Sequence, residues 1–156
     1  MLVFALAAAL VASPVQGGDM TRNILVDVCL PYVTGESSDT AALDFLGFVE
    51  TPAPNADTRT FRSADEAHLL RMTTEGSLET ETLNRVCVIQ PRRGGFDGAL
   101  GAVRPVMRQQ GFTLDAAQPA DRPIWTKDGV TVSLRQNAGA APVLRVTFSS
   151  LEAMGY

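Results

Sequence analysis

The sequence resembles itself at an offset of 64 residues, and this repeat constrains the fold more than any other feature. Aligned without gaps, residues 47–71 share seven identities with residues 111–135, including the Gly-Phe pair that opens each segment. Phe61 also aligns with Trp125, and one four-residue insertion in the first copy extends the alignment. Because a fixed period is typical of repeat architectures, we expect a tandem duplication.

The second copy indicates its strands most clearly. Residues 124–127 and 130–135 are separated by Asp128-Gly129, and Asp-Gly between apolar runs is a strong hairpin signal. A third strand is expected over residues 143–148, after a polar connection.

The first copy is interpreted by transferring this pattern. It predicts strands over residues 60–63, 68–73 and 83–90, so that each copy is a helix followed by three antiparallel strands. The copies extend over about residues 37–90 and 96–148. Two such units predict an α+β domain in which about six strands carry helices on one face, an arrangement that buries one apolar side of a sheet.

Helices are expected to open both copies. The first spans residues 41–46, with Phe45 on its apolar face, and ends at Gly47 in a left-handed turn. The second begins near Phe96, and Pro105 is expected to kink or split it.

An extra helix is expected ahead of the first copy. Apolar side chains recur at helical spacing over residues 19–30, and Pro31 disfavours helix at the residue before it. We therefore expect this helix to end at about Leu30.

Residues 1–17 have the character of a signal peptide. They are uncharged and contain an apolar run over residues 2–12 that is too short for a comfortable membrane span, followed by Pro14 and the small residue Gly17. The missing basic segment departs from the pattern, and a buried N-terminal helix is the alternative. We expect cleavage after Gly17, a single mature domain over residues 18–156 without a membrane span, and a periplasmic or secreted protein.

Export changes the interpretation of the two cysteines, Cys29 and Cys87. In an oxidising compartment they predict one disulfide, whereas in the cytosol they would be buried thiols. With His68 as the single histidine, the chain cannot assemble a Cys/His zinc site, and we expect neither a metal nor a cofactor.

The charge balance argues against nucleic acid as a partner. The formal net charge is -4, whereas binding to that polyanion depends on an excess of Lys and Arg. Residues 36–81 carry a net -7 and the chain from residue 82 onward a net +4. This asymmetry either orients a partner or lets the two halves neutralise each other.

Candidate catalytic groups are sparse. His68 falls on a predicted strand, the cysteines are used in the disulfide, and no serine stands in a GxSxG motif. Acidic residues cluster in sequence, as paired carboxylates of a hydrolase would, but a solvated loop also explains them. They are Asp65, Glu66, Glu75, Glu79 and Glu81.

The segment Arg92-Arg93-Gly94-Gly95 lies between a predicted strand and a predicted helix. Backbone amides at a helix N-terminus, two arginines and flexible glycines together suit an anion or a carboxylate. The segment matches no nucleotide-binding motif and also serves as a simple connection between the copies.

These observations favour a non-catalytic binding or inhibitory module of the cell envelope, whose partner is an unknown envelope protein or a small anionic ligand. The alternative is a small extracytoplasmic hydrolase that uses acidic residues. A contiguous apolar patch on an open sheet face would favour the first, and a cleft joining carboxylates with shifted pKa values to His68 would favour the second.

Overall fold

A computed structural model of the protein describes residues 17–77 and 82–155. Residues 1–16 of the expected signal peptide lie outside the described residues, so the signal peptide and its cleavage stay predictions.

Eight antiparallel strands form one sheet in the order β1-β2-β3-β4-β8-β7-β6-β5. The strands of the first half are β1 (Phe48–Thr51), β2 (Thr58–Ser63), β3 (His68–Glu75) and β4 (Asn84–Pro91). Those of the second half are β5 (Thr113–Leu114), β6 (Ile124–Lys127), β7 (Val130–Arg135) and β8 (Val143–Ser149). The α+β class is confirmed.

The expectation of six strands in two three-stranded units is wrong, because each half contributes four. The additional strands occupy the two edges of the sheet: β1 begins at the phenylalanine of its Gly-Phe pair, and β5 begins directly after its own pair. They contain only four and two residues, which is too short for an alternating pattern to be recognised in the sequence. Gly47 and Gly111 adopt φ values of 77° and 76°, the left-handed turns that lead into these strands.

The two halves meet where β4 pairs with β8, and each half runs outward from this pair to its own edge. Phe61 on β2 and Trp125 on β6 are both buried, and their partners on the edge strands, Glu50 and Leu114, also lie 64 positions apart. These equivalences are those that a duplication predicts. Common origin stays a prediction, because meanders also form independently.

The helical layer begins with three consecutive segments: α1 (Gly17–Ile24), a π-helical turn (Leu25–Cys29) and α2 (Leu30–Thr34). The expected end at Leu30 is wrong, because helix continues through Pro31 to Thr34. The Leu30 N–H donates to the Leu25 carbonyl, five residues back, so the hydrogen-bond pattern changes just before the proline that cannot donate.

Two helices open the halves, α3 (Ala41–Phe45) and α4 (Gly95–Gln109). The expectation that Phe45 lies on the apolar, core-facing side of α3 is wrong, because its relative exposure is 92%. Only Leu43 of this short helix is fully buried. The expected split at Pro105 does not occur, and α4 is one helix. Pro105 is exposed on the solvent side of α4. Water can therefore donate a hydrogen bond to the backbone carbonyl that the proline, which has no N–H, leaves without a donor.

The core lies between the helices and one face of the sheet. Side chains that alternate along the central strands, such as Leu70, Ile89, Val132 and Leu144, are almost fully buried. The predicted disulfide is confirmed and crosses this layer: Cys29 in the π-helical turn is bonded to Cys87 on β4, with a Cα–Cα distance of 5.4 Å.

Candidate functional site

The opposite face of the sheet is a candidate binding surface. Its residues, which alternate with the core residues along each strand, are mostly half-buried or exposed, and we call this surface the open face. Its charged strand residues are four arginines and one glutamate. The arginines are Arg62, Arg71, Arg135 and Arg145, and the glutamate is Glu75.

Arg71 and Arg145 lie on either side of Val88 at the centre of this face. Arg71 pairs directly with Val88 across β3 and β4, and Val88 pairs with Arg145 across β4 and β8. Two strand spacings separate the arginines by roughly 10 Å at the Cα atoms. Both are exposed, and neither forms an ion pair with a residue that the structure describes.

A row of hydroxyl groups runs beside the arginines. Strand pairing aligns seven residues across seven strands, and six of them are threonines. In spatial order they are Thr58, Thr73, Val86, Thr147, Thr131, Thr126 and Thr113. Hydroxyls both donate and accept hydrogen bonds, so this row offers polar contacts without fixed charge.

The open face is not uniformly basic. A hollow of about 290 Å³ is lined by Arg71 and Arg145 together with Asp57 and Glu75. The acidic pair places negative charge at one end of the strands, whereas Arg62 and Arg135 lie toward the other end. The face therefore has a charge polarity along the strand direction.

The predicted anion site at Arg92–Gly95 lies at the end of β4. The Arg92 N–H donates to the Ala67 carbonyl at 2.8 Å, and α4 begins at Gly95 after Gly94 in a left-handed conformation. Arg93 forms an exposed ion pair with Asp65, with 3.3 Å between Nη1 and Oδ2. Part of the local positive charge is thus already countered, and the site stays a prediction.

His68 occupies a structural position on β3. Its relative exposure is 2%, and its Nε2 lies 3.0 Å from the Thr21 hydroxyl of α1, so the ring connects the helical layer to the sheet.

The acidic residues that clustered in sequence have separate environments. The Ser63 hydroxyl, and next the Ala67 N–H, donate hydrogen bonds to the Asp65 carboxylate and lower its pKa. Glu66 forms an exposed ion pair with Arg62. Glu79 and Glu81 lie outside the described residues. Asp65 and Glu66 therefore support their own turn.

Within residues 17–77 and 82–155, no group of three His, Cys, Asp or Glu side chains is placed to hold a metal ion. In the same part of the chain, no helix has the length and apolar character needed to cross a bilayer.

Sequence reasoning missed the pairing of Arg71 with Arg145 across Val88. Arg71 was recognised only as an identity within the repeat, aligned with Arg135. Alternation along a strand indicates that an arginine faces solvent, but strand order decides which arginines become neighbours.

No family model matches the chain, and neither a curated protein nor a solved structure is significantly similar to it.

Proposed function

We propose that the protein is an exported, non-catalytic binding module that captures an acidic protein surface on its open face. The observation that carries this proposal is the pair of exposed arginines at the centre of the face, Arg71 and Arg145, neither of which forms an ion pair with a residue that the structure describes. Arginine is enriched in protein interfaces, and complementary charge accelerates association and selects partners.

The chemistry of the face favours a protein over a polyanion such as nucleic acid. Its strand residues include threonine, valine and arginine but no aromatic side chain, so bases would lack a stacking platform. Carboxylates accept bidentate hydrogen bonds from arginine, which suits an acidic partner.

Export is supported by two independent features. The apolar segment over residues 2–12 has the length of a signal-peptide core, and the disulfide between Cys29 and Cys87 is typical of oxidising compartments. We assign the mature protein to the periplasm or the extracellular medium.

The duplication belongs to the same proposal. Two copies of a helix and meander, joined through their last strands, make one wide face from units that are each too narrow to form it. The equivalent positions of Phe61 and Trp125 support this origin.

The contacts of Asp65, Glu66 and His68 do not favour a hydrolase. Asp65 and Glu66 are engaged by neighbours within their own turn, and His68 is buried against Thr21.

The test compares three arginine pairs in capture experiments. Immobilised wild-type protein and the variants R71A/R145A, R104A/R108A and R92A/R93A are incubated with envelope extract at low and high salt, and captured proteins are quantified by mass spectrometry. Arg104 and Arg108 are exposed on α4 and provide a control with the same change in charge.

We expect R71A/R145A to lose a salt-sensitive partner that R104A/R108A retains. If R92A/R93A is the only variant that loses the partner, the binding site would lie at the predicted helix N-terminus and not on the open face. Equal capture by all three variants and the wild type would contradict a role for the open face.

A further inference from the structure

A second concave surface lies on the other side of the molecule, between the helical layer and the β6–β7 hairpin. It encloses about 420 Å³, a volume within the usual range for small-molecule sites. We call it the helix–hairpin groove. Its apolar lining includes Val26, Leu30, Phe112, Val130 and Phe148.

The lining is only partly covered by the rest of the protein. Val26, Leu30, Phe112 and Phe148 are half-buried and pack against the core at one side, whereas their other side borders the groove. Phe112 and Phe148 both line the groove, and the faces of aromatic rings attract cations. Lys127 illustrates this attraction, since its Nζ lies 6.0 Å from the centre of the Phe112 ring.

The rim carries two carboxylates and one ammonium: Glu36, Asp128 and Lys127. The Lys127 Nζ already donates to the Gln110 carbonyl at 2.8 Å. Neither Glu36 nor Asp128 forms an ion pair with a residue that the structure describes. The rim therefore has an excess of negative charge beside an apolar and aromatic wall.

We infer that the helix–hairpin groove binds a small amphipathic organic cation. Its ammonium group would lie near Glu36 and Asp128, and its alkyl or aryl body would pack against Phe112, Phe148 and Leu30. This inference is independent of the proposed function, because the groove and the open face share no residue.

The test is a titration of the isotope-labelled full chain with two probes of equal length and opposite charge, n-octylammonium and octanoate. Backbone amide shifts of Phe112 and Val130 report binding in the groove. We expect octylammonium to saturate these shifts at a concentration about three- to tenfold below that of octanoate, the size of effect that partly exposed charge pairs produce.

Charge-neutral variants test the role of the rim. E36Q/D128N preserves shape, and Asn tolerates the left-handed conformation of residue 128, where φ is 48°. We expect this variant to lose the preference for octylammonium, and the matched control D44N/D121N, which neutralises two exposed carboxylates outside the groove lining, to keep it.

A blocking variant tests the location. Thr34 is exposed and lines the groove, so T34W is expected to fill it and weaken both probes without unfolding the protein. The inference would be overturned if octylammonium did not bind, or if the two probes bound with equal affinity. It would also be overturned if E36Q/D128N kept the preference for octylammonium, or if T34W bound the probes as well as the wild type does.

Discussion

Beside apolar packing, a disulfide and several side-chain hydrogen bonds join the helical layer to the sheet. Cys29 is covalently bonded to Cys87, and the Tyr32 hydroxyl lies 2.6 Å from that of Thr74. The Arg85 guanidinium donates to the Val33 carbonyl at 3.4 Å. These contacts lie along the helical segment and hold its position over β3 and β4.

Removing the disulfide is expected to be the most costly single change among them. The bond joins residues 58 positions apart, and a loop of that size predicts stabilisation of about 4 kcal/mol through the unfolded chain. Urea unfolding of C29S/C87S should show a loss of that order. Adding reductant should destabilise the wild type and leave the variant unchanged, and equal stability of the oxidised wild type and the variant would contradict the prediction.

The Asp65 carboxylate makes the free energy of unfolding depend on pH. Its pKa is lowered in the folded state by the Ser63 hydroxyl and the Ala67 N–H, so its contribution is complete above the unfolded pKa, which is about 3.9, and is lost as pH falls through the folded pKa. D65N should reduce stability at pH 7 by less than about 1 kcal/mol, because the carboxylate is exposed.

The measurement is thermal unfolding between pH 7 and pH 2. The difference between wild type and D65N should shrink at the acidic end of this range. A difference between wild type and D65N that stays constant over this range would contradict the prediction.

At the scale of elements, the sequence was most informative where its pattern was longest. The strand-turn-strand pattern around Asp128-Gly129 predicted β6 and β7 with their observed bounds. The short edge strands β1 and β5 left no such pattern, and the proline rule at Pro31 failed because a π-helical turn adjusted the hydrogen bonds before it. Rules based on neighbouring residues therefore fail where tertiary packing or a shifted hydrogen-bond pattern compensates for an unfavourable local sequence.

Gly129 in the hairpin turn and Gly139 differ in what a Cβ atom would contact, so replacing each of them distinguishes backbone strain from steric overlap. Gly129 and Gly139 have similar positive φ values, 77° and 73°, but a Cβ at Gly129 would lie 2.6 Å from the Ala153 Cβ of α5 (Ser150–Ala153), whereas nothing lies near Gly139. G139A should cost about 1 kcal/mol for backbone strain. G129A should cost at least about twice that, because the turn must also displace α5. Urea unfolding of both variants measures the difference, and equal losses would mean that α5 yields freely.

At the scale of the whole molecule, the candidate site could not be predicted from the sequence. Arg71 and Arg145 are 74 positions apart, and they approach each other only because β4 pairs with β8. The repeat indicated two similar halves but not which strands would join them. The pairing of these arginines on the open face therefore depends on strand order, which local patterns do not specify.

Export is tested on the full chain expressed in a host with a periplasm. We expect the periplasmic product to begin at Gly18, as measured by intact mass, with Cys29 and Cys87 oxidised. Leu6→Arg, which places a charge in the apolar run over residues 2–12, should block export and leave the precursor uncleaved. A full-length cytosolic product from the unaltered chain would contradict the prediction.

The pairing of β4 with β8 is the one sheet contact between the halves of the described chain, and it has a consequence for self-association. Only the short connection around Arg92–Gly94 links β4 to α4. If this connection extends, β4 of one molecule can pair with β8 of another and reproduce the same hydrogen bonds in a domain-swapped dimer. The disulfide closes within the first half and does not oppose the exchange, so concentrated or partly unfolded protein has a direct route to intertwined dimers.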